Sequence, residues 1–176
     1  METKKKSGEV IVQTEIERKF LLPELPPEIT IGILEGKFEY EDIEQGYTDD
    51  DARIRKSVNS KGETTYTKTR KKEIPGTGGI EKEEAIEILS REEFDRLWPL
   101  TEGARIIKKR YYVPLDGFTL HIDMFEGEFR GRVIGEVEFP SLEAARDFRK
   151  PPWFGEDITY ITNKRLALHQ QVLPKR

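Results

Sequence analysis

The sequence contains no cysteine and only two histidines among 176 residues. The first absence excludes disulfides and thiolate metal sites and suits a reducing compartment, so a cytoplasmic protein is expected. The second excludes a multi-histidine metal centre. Any metal must then be held by carboxylate oxygens, which selects hard cations such as Mg²⁺ or Mn²⁺. No apolar run approaches the length of a membrane span. The Lys-rich stretch Met1 to Gly8 has no apolar segment behind it, so it is not expected to be a secretory signal. An excess of one charge is missing too: 30 Lys and Arg stand against 34 Asp and Glu, a net charge of -4. That balance argues against a basic footprint for nucleic acid. Gly76 to Gly79 lacks the following Lys-Ser/Thr of a P-loop, so that phosphate cradle is excluded as well.

What the chain has in quantity is charge. Charged residues make up 36% and hydrophobic ones 35%, so the surface is densely charged or some charge is turned inward. The length suits one domain with a real core, expected over residues 9–176 behind a flexible tail at 1–8.

The charge is patterned. In Thr14-Glu15-Ile16-Glu17-Arg18-Lys19-Phe20 the period of two puts Glu15, Glu17 and Lys19 on one face of a strand, with Ile16 and Arg18 on the other. Arg53/Arg55, Lys108/Arg110 and Glu136/Glu138 form similar i, i+2 rows. In a half-buried sheet such rows face solvent. A closed barrel offers the alternative that they line the interior while apolar rows pack outward under helices. A lumen with both signs of charge would hold a polyanion together with metal ions, since carboxylates so close together repel unless a cation lies between them.

The remaining pattern predicts antiparallel strands joined by turns at 49–51, at Asn59-Ser60-Lys61-Gly62 and at Pro114 to Gly117, and a loop at Pro75 to Gly79. Residues 28–40 are ambiguous and allow a short helix. Ser90-Arg91-Glu92-Glu93 is a capping box that starts a helix closed by Pro99. Ser141 caps a second helix, and Asn163 to Gln171 reads as a third. The fold expected is mainly β (α+β): a closed antiparallel β-barrel with a few flanking helices.

Taken in order, Glu15-x-Glu17-x-Lys19, Gln45-Gly46-Tyr47, Arg53-Ile54-Arg55, Lys108-Lys109-Arg110-Tyr111, Asp123-Met124-Phe125, Glu136-Val137-Glu138-Phe139 and Pro152-Trp153-Phe154-Gly155 span nearly the whole chain. This ordered set resembles the CYTH superfamily, the triphosphate tunnel metalloenzymes, and most closely its short bacterial inorganic triphosphatases. The resemblance implies a charged tunnel in which acids bind divalent metal and bases bind a triphosphate. Carried over residue by residue, it marks Glu15, Glu17, Glu136 and Glu138 as metal ligands, with Asp123 in support. It marks Lys19, Arg53, Arg55, Lys108 and Arg110 as phosphate-gripping residues. Lys71 matches a Thr-x-Lys motif and shares a face with Thr67 and Thr69; Lys68 is the competing choice. Glu15, Glu17 and Lys71 are the catalytic candidates.

Two departures from the family pattern stand out. Where the family carries Glu-x-Glu before the Ser90 helix, a gap-free count gives Glu84 and Ile86. The alternation of Ile86 and Ile88 instead turns Glu81, Glu83 and Glu87 inward, and a β-bulge would reconcile the two. Glu83 and Glu84 are therefore both metal candidates. His121 stands where many members have an acid. The activity implied is metal-dependent hydrolysis of a triphosphate, most simply inorganic tripolyphosphate, by a monomer or homodimer with no nucleic-acid or membrane partner. Adenylyl cyclase, thiamine triphosphatase and a non-catalytic polyphosphate-binding module are the alternatives. Trp153-Phe154 offers a base-stacking surface for the cyclase reading, or barrel packing.

Overall fold

Alternating side chains and short turns drive this chain into strands, and the computed structural model describes residues 6–169. Residues 1–5 of the expected tail, and residues 170 and 171 of the last expected helix, lie outside the described residues. The strands are β1 (Val10–Leu21), β2 (Tyr40–Tyr47), β3 (Arg53–Asn59), β4 (Thr64–Glu73), β5 (Glu81–Leu89), β6 (Arg105–Leu115), β7 (Phe118–Phe125) and β8 (Val133–Glu138). The helices are α1 (Pro27–Leu34), α2 (Arg91–Leu97), α3 (Leu142–Asp147) and α4 (Asn163–Ala167). All strand pairs are antiparallel, and the order β1-β5-β4-β3-β2-β6-β7-β8 closes into a barrel, as the strand pattern predicts.

Closure depends on β1. Its first half, Val10 to Ile16, pairs with β5, and its second half, Glu17 to Leu21, pairs with β8. The strand changes partner between Ile16 and Glu17, in the middle of the charged row, so that row joins the two ends of the sheet.

Local chemistry explains the breaks. Ser90 accepts a hydrogen bond from the Glu93 backbone, and the Glu93 side chain accepts one from the Ser90 backbone, which completes the capping box of α2. Pro99 falls in a 3-10 turn over Trp98–Thr101 that ends this helix. Ser141 caps α3 by accepting from the Ala144 backbone. The β6–β7 connection is tighter than expected. Pro114 and Leu115 remain in β6, and Asp116 and Gly117 turn the chain with φ of 46° and 84°, the left-handed pair of a type I′ hairpin. At Gly46 a Cβ would lie 2.4 Å from the Thr101 side chain, so only glycine lets β2 approach that 3-10 turn.

Outward-facing apolar residues form the main core. Phe20, Leu22, Leu120, Ile122, Val133, Val137 and Phe139 pack with Ile29 of α1, Ala145 of α3 and Phe154. Each large side chain so buried contributes roughly 1.5–3 kcal/mol. Trp153 packs edge-on against Phe154 at 4.6 Å, so this aromatic pair is used for packing. A second cluster sits under α2, with Ala52, Ile54, Leu89 and Phe94. Inside the barrel, Ile106, Phe125 and Ile134 join Phe129, Ile158, Ile161 and Leu166, so part of the interior at one end is apolar. The charged rows lie beyond that layer. Among the described residues no helix is long and apolar enough to cross a membrane.

Candidate functional site

Eight strands ordinarily leave just enough interior for side chains or one small ligand. Here a cavity of about 730 Å³ remains, lined by both signs of charge. Its lining follows the period of two: Glu15, Glu17 and Lys19 from β1, Arg53 and Arg55 from β3, Thr67, Thr69 and Lys71 from β4, Lys82, Glu84 and Ile86 from β5, and Glu136 and Glu138 from β8.

The acidic side gathers where β1 meets β8. Glu17 and Glu138 are direct cross-strand partners. One carboxylate oxygen from each, with one from Glu15, all lie within 4.8 Å of one another. Such crowding opposes charge. Burial and the Glu136 carboxylate push the Glu17 carboxyl above its ordinary range. Burial, Glu15 and Glu17 do the same to Glu138. A donor set of three crowded carboxylate oxygens fits a hard divalent cation such as Mg²⁺ or Mn²⁺.

The basic side faces it across the cavity. Arg55 donates from Nε and Nη2 to Gln45 Oε1 at 3.1 and 2.6 Å. Arg53 donates to Thr69 at 3.4 Å, while its buried Nε has no partner. Among the described residues neither guanidinium has a carboxylate partner. Burial and the neighbouring Arg53 and Arg110 hold Arg55 below its ordinary pKa. These two cations are crowded and lack an anion.

Other charges are already paired. Lys71 Nζ donates to Glu15 at 2.5 Å and lies 3.7 Å from Glu84. Glu136 accepts from Arg110 at 2.8 Å and lies 3.7 Å from Lys19. Burial opposes the charge of Glu136, but Arg110 and Lys19 hold its carboxyl well below the usual range. Burial likewise opposes the charge of Lys19, which Glu136 and Glu17 keep above its ordinary value.

Several expected site residues lie apart from the cavity or from the carboxylate trio. Lys108 does not line the cavity. It is 1% exposed and donates to Asp123 at 2.6 Å, and burial pushes its pKa down to about 8. Asp123 is fully buried and accepts from Arg110 at 2.7 and 2.8 Å as well. Its oxygens face two protein cations, not the carboxylate trio, because the interior at this level is filled by Phe125 and Ile134. Glu136 also lies outside the trio. Glu83 is exposed, and the registers of β5 with β1 and β4 run without a bulge, so the gap-free count holds: Glu84 and Ile86 face the lumen. Lys68 pairs in register with Glu87 and does not line the cavity, whereas Lys71 does.

Sequence reading missed Lys82, which lines the cavity 3.9 Å from Glu17. Burial and Lys19 push its ammonium below its ordinary pKa. The i, i+2 row Lys82, Glu84, Ile86 was its signal. Gln45, the acceptor that holds Arg55, stood in the Gln45-Gly46-Tyr47 motif without an assigned role.

With this geometry in place, comparison with known proteins is direct. A model of the CYTH domain matches residues 13–169. The chain is 38% identical over 160 residues to an inorganic triphosphatase of Nitrosomonas europaea, covering 88% of this chain and 97% of that protein. It is 35% identical over 149 residues to an inorganic triphosphatase of Acetivibrio thermocellus, covering 82% and 85%. The solved structure of the inorganic triphosphatase NE1496 is 34% identical, with a TM-score of 0.59 over 88% of this chain and 97% of that one.

Proposed function

The chain belongs to the CYTH domain family, and from that premise we propose that it is a metal-dependent inorganic triphosphatase, cleaving tripolyphosphate to pyrophosphate and phosphate. One observation carries the reading. Arg53 and Arg55, two lumen cations without a carboxylate partner, face the trio Glu15, Glu17 and Glu138 across one cavity. An anionic chain of phosphates satisfies the first group, and a divalent cation satisfies the second.

In this reading Arg53 and Arg55 fork onto nonbridging oxygens, and Lys19, Lys71 and Lys82 add point charges. Arg110, held by Asp123 and Glu136, keeps a fixed direction. Asp123 and Lys108 serve as its buried support rather than as ligands. Glu15, Glu17 and Glu138 hold Mg²⁺ or Mn²⁺, which supplies Lewis-acid polarisation of a phosphoryl oxygen when bound. Water forms the new P–O bond as the P–O–P bridge breaks, pyrophosphate leaves, and a glutamate of the trio accepts the proton of the water. Phosphoryl transfer asks little covalent chemistry of a protein beyond such positioning. Phe154 is buried and Trp153 packs on it, so the pair offers no nucleobase platform, which disfavours the cyclase alternative.

The test is phosphate release from tripolyphosphate, pyrophosphate, ATP and thiamine triphosphate with each metal. Tripolyphosphate is expected to be the best substrate, with activity lost in EDTA and restored by Mg²⁺ or Mn²⁺. Tight tripolyphosphate binding with no release under any metal would establish a binding module instead.

A further inference from the structure

The wall formed by β6, β7 and β8 holds a polar side chain that the roles above do not use. His121 of β7 is 8% exposed and lines the cavity. It lies edge-on to Tyr112, with ring centroids 4.9 Å apart, and directly across the strand pair from Glu136. Its Nδ1 is buried without a hydrogen-bond partner.

That orphan fixes the proton. In the imidazolium both nitrogens are protonated, and the Nδ1–H would be buried with no acceptor. In the neutral ring a buried bare acceptor is tolerated better than a buried N–H with no acceptor. The proton therefore sits on Nε2. Nε2 is not among the buried unpartnered atoms, and no described residue accepts from it, so it reaches the cavity.

The neighbours on this wall are occupied or repel anions. Arg110 is engaged by Asp123 and Glu136. Burial and the Glu41 carboxylate hold the Tyr112 phenol above its ordinary pKa. Glu136 and Glu138 are carboxylates. Nor do the His121 nitrogens belong to the group of donor atoms formed by Glu15, Glu17 and Glu138. We propose that His121 is a specificity-determining residue whose Nε2–H donates a hydrogen bond to a nonbridging oxygen of the bound triphosphate. The inference rests on the triphosphatase reading and deepens it. β7 lies three strands from β3 in the eight-stranded ring, so an anion held by Arg53 and Arg55 must span the lumen to reach His121. Tripolyphosphate spans further than pyrophosphate, and the contact favours the longer chain.

The experiment measures binding of tripolyphosphate and pyrophosphate by calorimetry in metal-free buffer. His121→Phe keeps the ring against Tyr112 but has no donor; His121→Gln restores an N–H of similar reach. The Phe variant is expected to weaken tripolyphosphate binding about tenfold, as for a lost hydrogen bond to a charged group. Pyrophosphate binding should be nearly unchanged, and Gln should recover most of the loss. Affinity for Mn²⁺ without substrate, and the melting temperature, should match wild type in both variants. Tripolyphosphate binding undiminished in the Phe variant, equal losses for both anions, or no recovery by Gln would each overturn the proposal. A wild type that binds tripolyphosphate but releases no phosphate would defeat the hydrolase reading and leave the His121 contact supported by the binding data.

Discussion

Glu17 of β1 and Glu138 of β8 stand directly opposite one another, although they lie near opposite ends of the chain. Barrel closure makes them neighbours, and with Glu15 they form one group of carboxylate oxygens. Residues that hold a single ion act as a unit, so their losses do not add. Glu17→Gln and Glu138→Gln should each reduce metal affinity by no less than the ~10–100-fold typical of an outer-shell loss. The double variant should lose barely more activity than the worse single one. Each should also raise the melting temperature of the metal-free protein, because each removes like-charge repulsion. Metal titration and calorimetric melting check both; additive losses with unchanged metal affinity would separate the two strands functionally.

Asp123 should behave in the opposite way. It neutralises Lys108 and Arg110 in a buried setting, so Asp123→Asn leaves Lys108 uncompensated and Arg110 with Glu136 alone. Breaking a buried pair in this manner costs about 3–5 kcal/mol. Denaturant unfolding of the metal-free protein should show that loss. A metal-ligand role would instead leave metal-free stability unchanged or raised.

Arg53→Ala and Arg55→Ala separate binding from folding. Each guanidinium meets only neutral acceptors and is crowded by other cations. Loss of a desolvated phosphate contact costs roughly 2–5 kcal/mol, seen as a higher KM or a lower kcat. Stability should stay constant or rise. Unchanged kinetics in both variants would remove them from the phosphate path.

Outside the lumen, Asp157 ties the last described segment to β1. Arg18 donates to it from Nε and Nη2 at 3.1 and 2.8 Å, and Thr159 from its hydroxyl and backbone. Burial raises its pKa, but the hydrogen bonds from Thr159 and Arg18 outweigh burial and hold it below the ordinary value. A depressed carboxyl binds fewer protons folded than unfolded, so its stabilisation is present above the unfolded pKa and lost as pH falls through the folded one. Asp157→Asn should therefore cost about 1 kcal/mol at neutral pH, discounted for partial exposure, and should shrink the acid limb of the stability curve below pH ~4. Unfolding measured at several pH values would show a parallel offset instead if Asp157 carried no such linkage.

The sequence alone determined which residues could face inward. Strand periodicity is local: it put Glu15, Glu17 and Lys19 on one face and Ile16 and Phe20 on the other, and Ser90-Arg91-Glu92-Glu93 announced its helix through contacts within one turn. The strand pattern also pointed to a closed barrel, because charge on one face and apolar residues on the other need two environments. The tertiary structure decided how the inward charges pair. Whether Glu136 joins Glu138 or is taken by Arg110, and whether Asp123 faces the lumen or Lys108, depends on the register between strands far apart in sequence. The choice between Glu83 and Glu84 rested on the same relationship, since one residue of slip reverses every side chain of β5. Register is set by the closure of the whole ring and the packing on its outer face. No stretch of a few residues contains it.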